Sequence, residues 1–215
     1  MEGTSLQVEE STIIAILGRN GAGKTTLMRA VMGLIPCSAG RITFNGTDVT
    51  GLPAYRRARL GLGYIPQGRE IFPALTVLEN LRLGARLAPD PAAALEEVLS
   101  EFPLLREKRD ASGGSLSGGQ QQVLALGRAL ASRPRVLLMD EPSEGIQPSL
   151  VGQLADHIRE VNTGGLTILL VEQNLDFAAT LARHAYVMDK GRIVRSLETA
   201  AILSDRDLAR EYLGV

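Results

Sequence analysis

Thr12-Ile13-Ile14-Ala15-Ile16-Leu17-Gly18-Arg19-Asn20-Gly21-Ala22-Gly23-Lys24-Thr25-Thr26 is the stretch whose reading decides the fold. A β-branched, apolar run enters a glycine-rich loop, and helical spacing starts at Thr25-Thr26-Leu27-Met28-Arg29-Ala30-Val31-Met32. Strand, loop and helix in this order predict a phosphate-binding loop, because a polyphosphate needs many backbone N–H groups converging at a helix N-terminus. Gly21 and Gly23 let the chain turn there without a Cβ in the way. Lys24 can then set its ammonium between terminal phosphates, the Thr25 hydroxyl can ligate magnesium, and Thr26 can bond a further phosphate oxygen.

Two later segments extend this reading. Val136-Leu137-Leu138-Met139-Asp140-Glu141 is an apolar strand ending in two carboxylates. Beside a phosphate loop, Asp140 would hold magnesium through water and Glu141 would polarise an attacking water as general base. Leu116-Ser117-Gly118-Gly119-Gln120 opens a helix, so its N–H groups and the serine hydroxyl form an anion site. A capped helix alone would explain the serine but neither the paired glycines nor the glutamine.

Outward from these motifs, the pattern is that of one α/β domain. Arg41–Phe44 reads as a short strand ending at the turn Asn45-Gly46, and Leu62–Ile65 as a buried strand broken by Pro66-Gln67-Gly68. Between Leu75 and Arg133 the spacing is helical: Thr76 caps a helix to Arg86, Pro91 opens one to Phe102, and Ser117 caps one to Ala131. Strand character returns at Val136–Met139 and Leu166–Val171, with a helix over Ser149–Val161 between, and Lys190-Gly191 turns a hairpin of Ala185–Met188 and Arg192–Arg195. Tyr55-Arg56-Arg57-Ala58-Arg59, the only basic cluster, reads as a solvated helix face.

The chain has 215 residues, enough to bury a substantial core. A net charge of −1 gives no field favouring nucleic acid. Its longest apolar runs fall far short of the ~20 residues of a membrane-spanning helix. A single cysteine, Cys37, cannot close an intramolecular disulfide, which fits a reducing cytoplasm, and it reads as a plain loop residue.

The three motifs, in this order and over essentially the whole chain, resemble the ATP-binding cassette (ABC) family, the ATPase subunits that drive membrane transporters. The resemblance implies an α/β P-loop NTPase (RecA-like) core with an inserted α-helical subdomain. That makes one ABC ATPase domain over 1–215, with core segments 1–75 and 133–215 and the helical part at about 76–132. It implies ATP and Mg2+ as cofactors, the phosphates held by Gly18, Arg19, Asn20, Gly21, Ala22, Gly23, Lys24, Thr25 and Thr26, and the metal by Thr25, Gln67 and Asp140. Glu141, Gln67 and Gln173 are the implied catalytic positions. Ser117, Gly118, Gly119 and Gln120 are implied to close over the ATP of an opposite subunit. Gln67 is implied to link the site to transmembrane permease subunits, which would dock at Phe72-Pro73-Ala74-Leu75. Phe72 and Leu75 read equally as a staple of the following helix to the core. The implied location is the cytoplasmic face of the membrane, held by the permeases, with a solute-binding protein acting indirectly.

Tyr64-Ile65-Pro66-Gln67-Gly68-Arg69-Glu70-Ile71-Phe72-Pro73 and Val171-Glu172-Gln173-Asn174-Leu175 look like the second ATPase of branched-chain amino acid importers and their urea-transporting relatives. Glu141-Pro142-Ser143-Glu144-Gly145-Ile146-Gln147-Pro148 leans towards the urea branch. The alternative is a non-transport ABC-type ATPase, of DNA repair or of regulatory nucleotide binding.

Three departures from the family pattern carry expectations. Gln173 stands where a switch histidine is common, which points to a heterodimer with a histidine-bearing second ATPase. Gln147 stands where an aspartate is common in the segment after Glu141. No strand or adenine-stacking aromatic precedes the loop at the usual distance, so the N-terminal β-subdomain is expected to be truncated, with Ser5–Glu9 left as a bare strand edge.

Overall fold

The computed structural model describes residues 3–205 and residue 210. In chain order its elements are β1 (Ile13–Leu17), α1 (Lys24–Met32), β2 (Thr43–Phe44), β3 (Thr47–Asp48), α2 (Ala54–Leu60), β4 (Leu62–Ile65), α3 (Val77–Ala85), α4 (Pro91–Glu101), α5 (Pro103–Glu107), α6 (Gly118–Leu130), β5 (Val136–Asp140), α7 (Pro148–Thr163), β6 (Thr167–Glu172), α8 (Leu175–Leu181), β7 (His184–Asp189), β8 (Arg192–Glu198) and α9 (Thr199–Ser204). The main sheet runs β4-β5-β6-β1-β7-β8, and a separate β2-β3 hairpin turns at Asn45-Gly46. Within the main sheet neighbouring strands from β4 to β7 are parallel, and β8 is antiparallel to β7.

Strict alternation along the strands sorts side chains to two faces. Ile13, Ala15 and Leu17 of β1, Leu137 and Met139 of β5 and Ile168 and Leu170 of β6 join one cluster with the buried faces of α3, α4, α6, α7 and α8. Ile14, Ile16, Leu138, Leu169 and Val171 face the other way, onto Leu27, Met28 and Met32 of α1. The sheet is therefore covered on both sides, which is why its parallel strands read as unbroken apolar runs. Leu81, Val98, Phe102 and Leu105 of the helical insertion belong to the same buried cluster as the strands.

Three expectations need correction. Ser5–Glu9 is not a strand edge but irregular backbone, fastened where the Tyr186 hydroxyl accepts from Gln7 N (3.2 Å) and donates to Gln7 O (3.1 Å). The helices α8 and α9 lie where no helix is expected from sequence, and α5 falls between two of the helices expected within the helical part. Each is seven residues or fewer, too short for its apolar spacing to stand out.

The basic cluster is not a solvated face throughout: Arg57 is only 2% exposed. Its Nη1 donates to Ala30 O (2.8 Å) and Val31 O (2.6 Å), Nε to Leu52 O (2.8 Å) and Nη2 to Thr50 O (2.9 Å). Two of these are carbonyls of the last turn of α1, where a cation adds a charged donor to the helix-end acceptors and meets the negative end of the helix dipole. Arg57 thus fixes α1, the helix that opens with Lys24. Tyr55, Arg56 and Arg59 do face solvent.

Arg57→Met should lower the unfolding free energy by about 3 kcal/mol, since buried carbonyls lose a charged donor without gaining water. Urea titration checks this. Arg57→Lys should recover less than half, because an ammonium cannot reproduce the guanidinium fork. A loss below about 1 kcal/mol in the methionine variant would contradict the clamp.

Candidate functional site

Four parallel strands deliver the site from their C-terminal ends, where open α/β sheets place ligand crevices. The glycine loop follows β1, Gln67 follows β4, Glu141 follows β5 and Gln173 follows β6. Gly21, Gly23, Lys24, Thr25, Thr26, Gln67, Glu141 and Gln173 line one groove of about 880 Å³. A larger groove, of about 1240 Å³, runs between Leu6–Val8 and Arg133–Val136. It lies away from the glycine loop and the paired carboxylates, so the chemistry belongs to the smaller one.

Gly21 (φ 80°) and Gly23 (φ 103°) occupy the left-handed region, as the phosphate-loop reading requires. Gly23 is the N-cap of α1 and supplies no side-chain cap, so the N–H groups of the first turn are left to a ligand. The loop is braced from behind, where Gly191 N, in the hairpin turn between β7 and β8, donates to Ala22 O (2.7 Å). Lys24, 4% exposed, donates to Gly18 O (2.7 Å) and Arg19 O (3.3 Å), and its Nζ lies 3.2 Å from Glu141 Oε1. The cation therefore sits between the loop and the second carboxylate.

Asp140, 1% exposed, accepts from the Thr25 hydroxyl on Oδ1 (3.3 Å) and from the Tyr64 hydroxyl on Oδ2 (3.3 Å). Burial, with the nearby Glu141 charge, raises its pKa against the opposing pull of Thr25, Tyr64 and Lys24. The Tyr64 hydroxyl is pushed up in turn, chiefly by burial and then by the Asp140 charge. Thr25 and Asp140 form a pair of hard oxygen donors beside the phosphate loop. That donor set suits magnesium, which takes few protein ligands and completes its shell with phosphate oxygens and water.

Glu141 adopts φ 50°, a conformation held by its N–H donating to Val171 O (2.9 Å). Such a residue outside glycine is held only where surroundings over-determine it, and it commonly sits at functional positions. Its Oε2 accepts from Gln67 Nε2 (3.1 Å), which also donates to Glu144 Oε2 (3.0 Å). Gln67 thus joins Glu141 to Glu144, and the contact with Glu144 is one that sequence reasoning missed.

Tyr64 was missed as well, although strand pairing could reveal it. Tyr64 pairs with Leu138, so it shares a sheet face with Leu138 and with Asp140 two residues on. Glu172 is the third omission. It is 2% exposed and its carboxylate accepts from Ser143 N (3.0 Å), Gln173 N (3.2 Å) and Asn174 N (3.2 Å). Burial raises its pKa while these bonds pull it down. The effect is to tie the loop after Glu141 to the loop bearing Gln173.

Ser117–Gln120 stands apart from the groove. Ser117 caps α6 by accepting from Gln120 N (3.4 Å), and Gln120 Oε1 accepts in return from Ser117 N (3.1 Å). That is a capping box, so a capped helix does account for the glutamine, contrary to expectation. Gly119 packs closely on α7: a Cβ there would come within 2.7 Å of Leu150 Cδ1 and would make that side chain shift. Phe72 is 47% exposed, with the Arg128 guanidinium 5.2 Å from its ring centre, while Leu75 is half-buried.

A family profile described as ABC transporter matches residues 1–144. The high-affinity branched-chain amino acid transport ATP-binding protein BraG of Pseudomonas aeruginosa is 40% identical over 98% of this chain and 91% of its own. The lipopolysaccharide export system ATP-binding protein LptB of Escherichia coli is 35% identical over 100% of this chain and 90% of its own. Among solved structures, an ATP-binding cassette of an ABC transporter in its ADP conformation matches with a TM-score of 0.85 and 29% identity, over 99% of this chain and 91% of that one.

The raised pKa of Asp140 has a consequence for stability. A carboxyl held above its ordinary 3.8 in the folded state costs stability once ionised, so the cost is present at neutral pH and disappears as pH falls through the raised value to 3.8. Asp140→Asn keeps an acceptor for Thr25 and a donor for Tyr64 without the charge. In chelator, it should unfold at higher urea than the parent at pH 7, with the gap closing on acidification. A gap that is absent at pH 7, or that widens towards low pH, would reverse the assignment.

Proposed function

Because the chain belongs to the ABC transporter family, as its ATPase domain, we propose that it binds ATP with magnesium in the 880 Å³ groove and hydrolyses it with Glu141 as general base. The observation that carries this reading is the convergence of Lys24, Glu141 and Gln67 within 3.2 Å contacts at the mouth of the glycine loop. A triphosphate would take over the Lys24 ammonium and the free N–H groups of α1. Glu141, relieved of that ion pair, would accept a proton from the attacking water, and Gln67 would orient it. Thr25 directly and Asp140 through water would hold magnesium, which when bound neutralises charge on the phosphate oxygens.

Gln173, half-buried on the groove wall, can donate one hydrogen bond to the transferred phosphoryl group but cannot carry charge or shuttle a proton. Ser117–Gln120, lying outside this groove, would serve the groove of a second subunit. Pairing with a different, histidine-bearing ATPase would give the assembly at least one fully equipped site. Exposed Phe72 suits a permease helix. Among the described residues no helix is long and apolar enough to cross a membrane, so contact with the bilayer would come through such permeases.

For the solute, branched-chain amino acids rank ahead of urea. BraG, at 40% identity, carries that name. Export is the second reading, favoured by LptB at 35% identity over the whole chain. Solute uptake by cells lacking this chain separates the three: leucine import lost with urea import intact supports the first.

Lys24→Ala should weaken ATP binding about ten- to a hundred-fold, the loss of a charge-assisted bond of roughly 1.5–3 kcal/mol. Glu141→Gln should instead keep the affinity, accumulate an ATP-bound dimer and lose turnover. Equilibrium binding, light scattering and phosphate release check all three. Turnover at the parent rate in Glu141→Gln would remove the general-base assignment.

A further inference from the structure

We propose that Arg69 is a positioning residue that locks the Gln67 loop, the loop after Glu141 and the start of α6 into one unit. The inference rests on the ATPase reading and goes beyond it to the coupling of two surfaces, one facing this chain's groove and one facing outward.

Arg69 (φ 71°) and Glu70 (φ 43°) are successive left-handed residues. Two such residues in a row are strained, and the strain persists only where other contacts fix the loop. Local backbone bonds hold part of the turn, Arg69 N donating to Pro66 O (3.1 Å) and Glu70 N to Gly68 O (2.8 Å), and the guanidinium ties it to other elements. Nη2 donates to Glu144 O (3.1 Å) and to Gly145 O (3.1 Å), and Nη1 lies 3.5 Å from Gln121 Oε1 on the first turns of α6. It also lies against Gly118, where a Cβ would stand 3.3 Å from Nη2. One side chain thus reaches the segment that carries Glu144, the partner of Gln67, and the helix start that carries Ser117.

The backbone of Arg69 completes the junction. Its carbonyl accepts from Arg128 Nη2 (3.4 Å), and the Arg128 guanidinium covers the exposed Phe72 ring. A load on Phe72 would therefore reach Arg69 through Arg128. All the acceptors on Arg69 are neutral, so its role is set by fork geometry and reach, not by an ion pair. Arg69 does not line the 880 Å³ groove, so nucleotide binding should survive its loss while alignment for turnover should not.

The test compares wild type, Arg69→Met and Arg69→Lys in three measurements: ATP affinity, steady-state hydrolysis and amide hydrogen exchange. Arg69→Met should leave affinity within about twofold and lower kcat about tenfold, and Arg69→Lys should recover only part of it. In nucleotide-free protein, exchange over 113–121 and over 141–147 should rise together in Arg69→Met. Unchanged kcat, or exchange rising in one segment alone, would overturn the proposal. So would a proportional fall in affinity and kcat with a lower melting temperature, the signature of packing only. If the methionine variant does not fold, Arg69→Lys decides, and wild-type kcat and exchange in it would overturn the inference. The exchange measurement judges Arg69 even if wild type hydrolyses no ATP, an outcome that would sink the ATPase reading alone.

Discussion

The site depends on one buried cation. Lys24 lies between the carbonyls of its own loop and the carboxylate of Glu141, and with 4% exposure it cannot be satisfied by water. Taking an ammonium out of water costs several kcal/mol unless partners surround it, roughly. The sheet supplies them. With β6 between β1 and β5, the glycine loop and the two carboxylates open onto one edge two strand spacings apart, roughly 10 Å. The Lys24 stem and the Glu141 side chain together bridge that gap, meeting at 3.2 Å. The same arrangement makes Lys24 exchangeable, because a phosphate group offers what Glu141 and Gly18 O supply.

Around that pair, buried groups fix the approach angles of the loops. Arg57 caps the far end of α1, Gly191 N braces Ala22, and Glu172 gathers three N–H groups from the loops after β5 and β6. Of the three, only Glu172 itself lines the groove; Arg57 and Gly191 act on it through their neighbours. Each satisfies buried polar atoms that would otherwise destabilise the loops, so order at the site follows from accounting for hydrogen bonds.

The legible part of this architecture was the part written in local sequence. Thr12–Thr26 specifies its own turn through Gly21 and Gly23, and strands covered on both faces need only an apolar run, so β1, β4, β5 and β6 fell within a residue of expectation. What stayed hidden depends on distant partners. Arg57 looks like its neighbours Arg56 and Arg59, and only the position of the α1 C-terminus makes it a core residue. Gln120 could have been read as the third residue of a capping box, since Ser117-Gly118-Gly119-Gln120 has that spacing. Tyr64 and Glu144 became site residues only through the β4–β5 register and the turn after Glu141.

The separation of Ser117–Gln120 from the groove has a physical consequence. An anion site built from a helix start works when it meets an anion, and in this chain Arg69, Gly145 and Leu150 hold that start against the loop after Glu141, on the outside of the site. A capping box already satisfies the end N–H groups of Ser117 and Gln120, so the helix is stable without any ligand. The N–H groups between them remain to be used. A surface that is complete as structure yet keeps unspent donors is suited to recognise a phosphate presented from outside, and its junction with the loop after Glu141 means that such recognition would be felt at Glu141 itself.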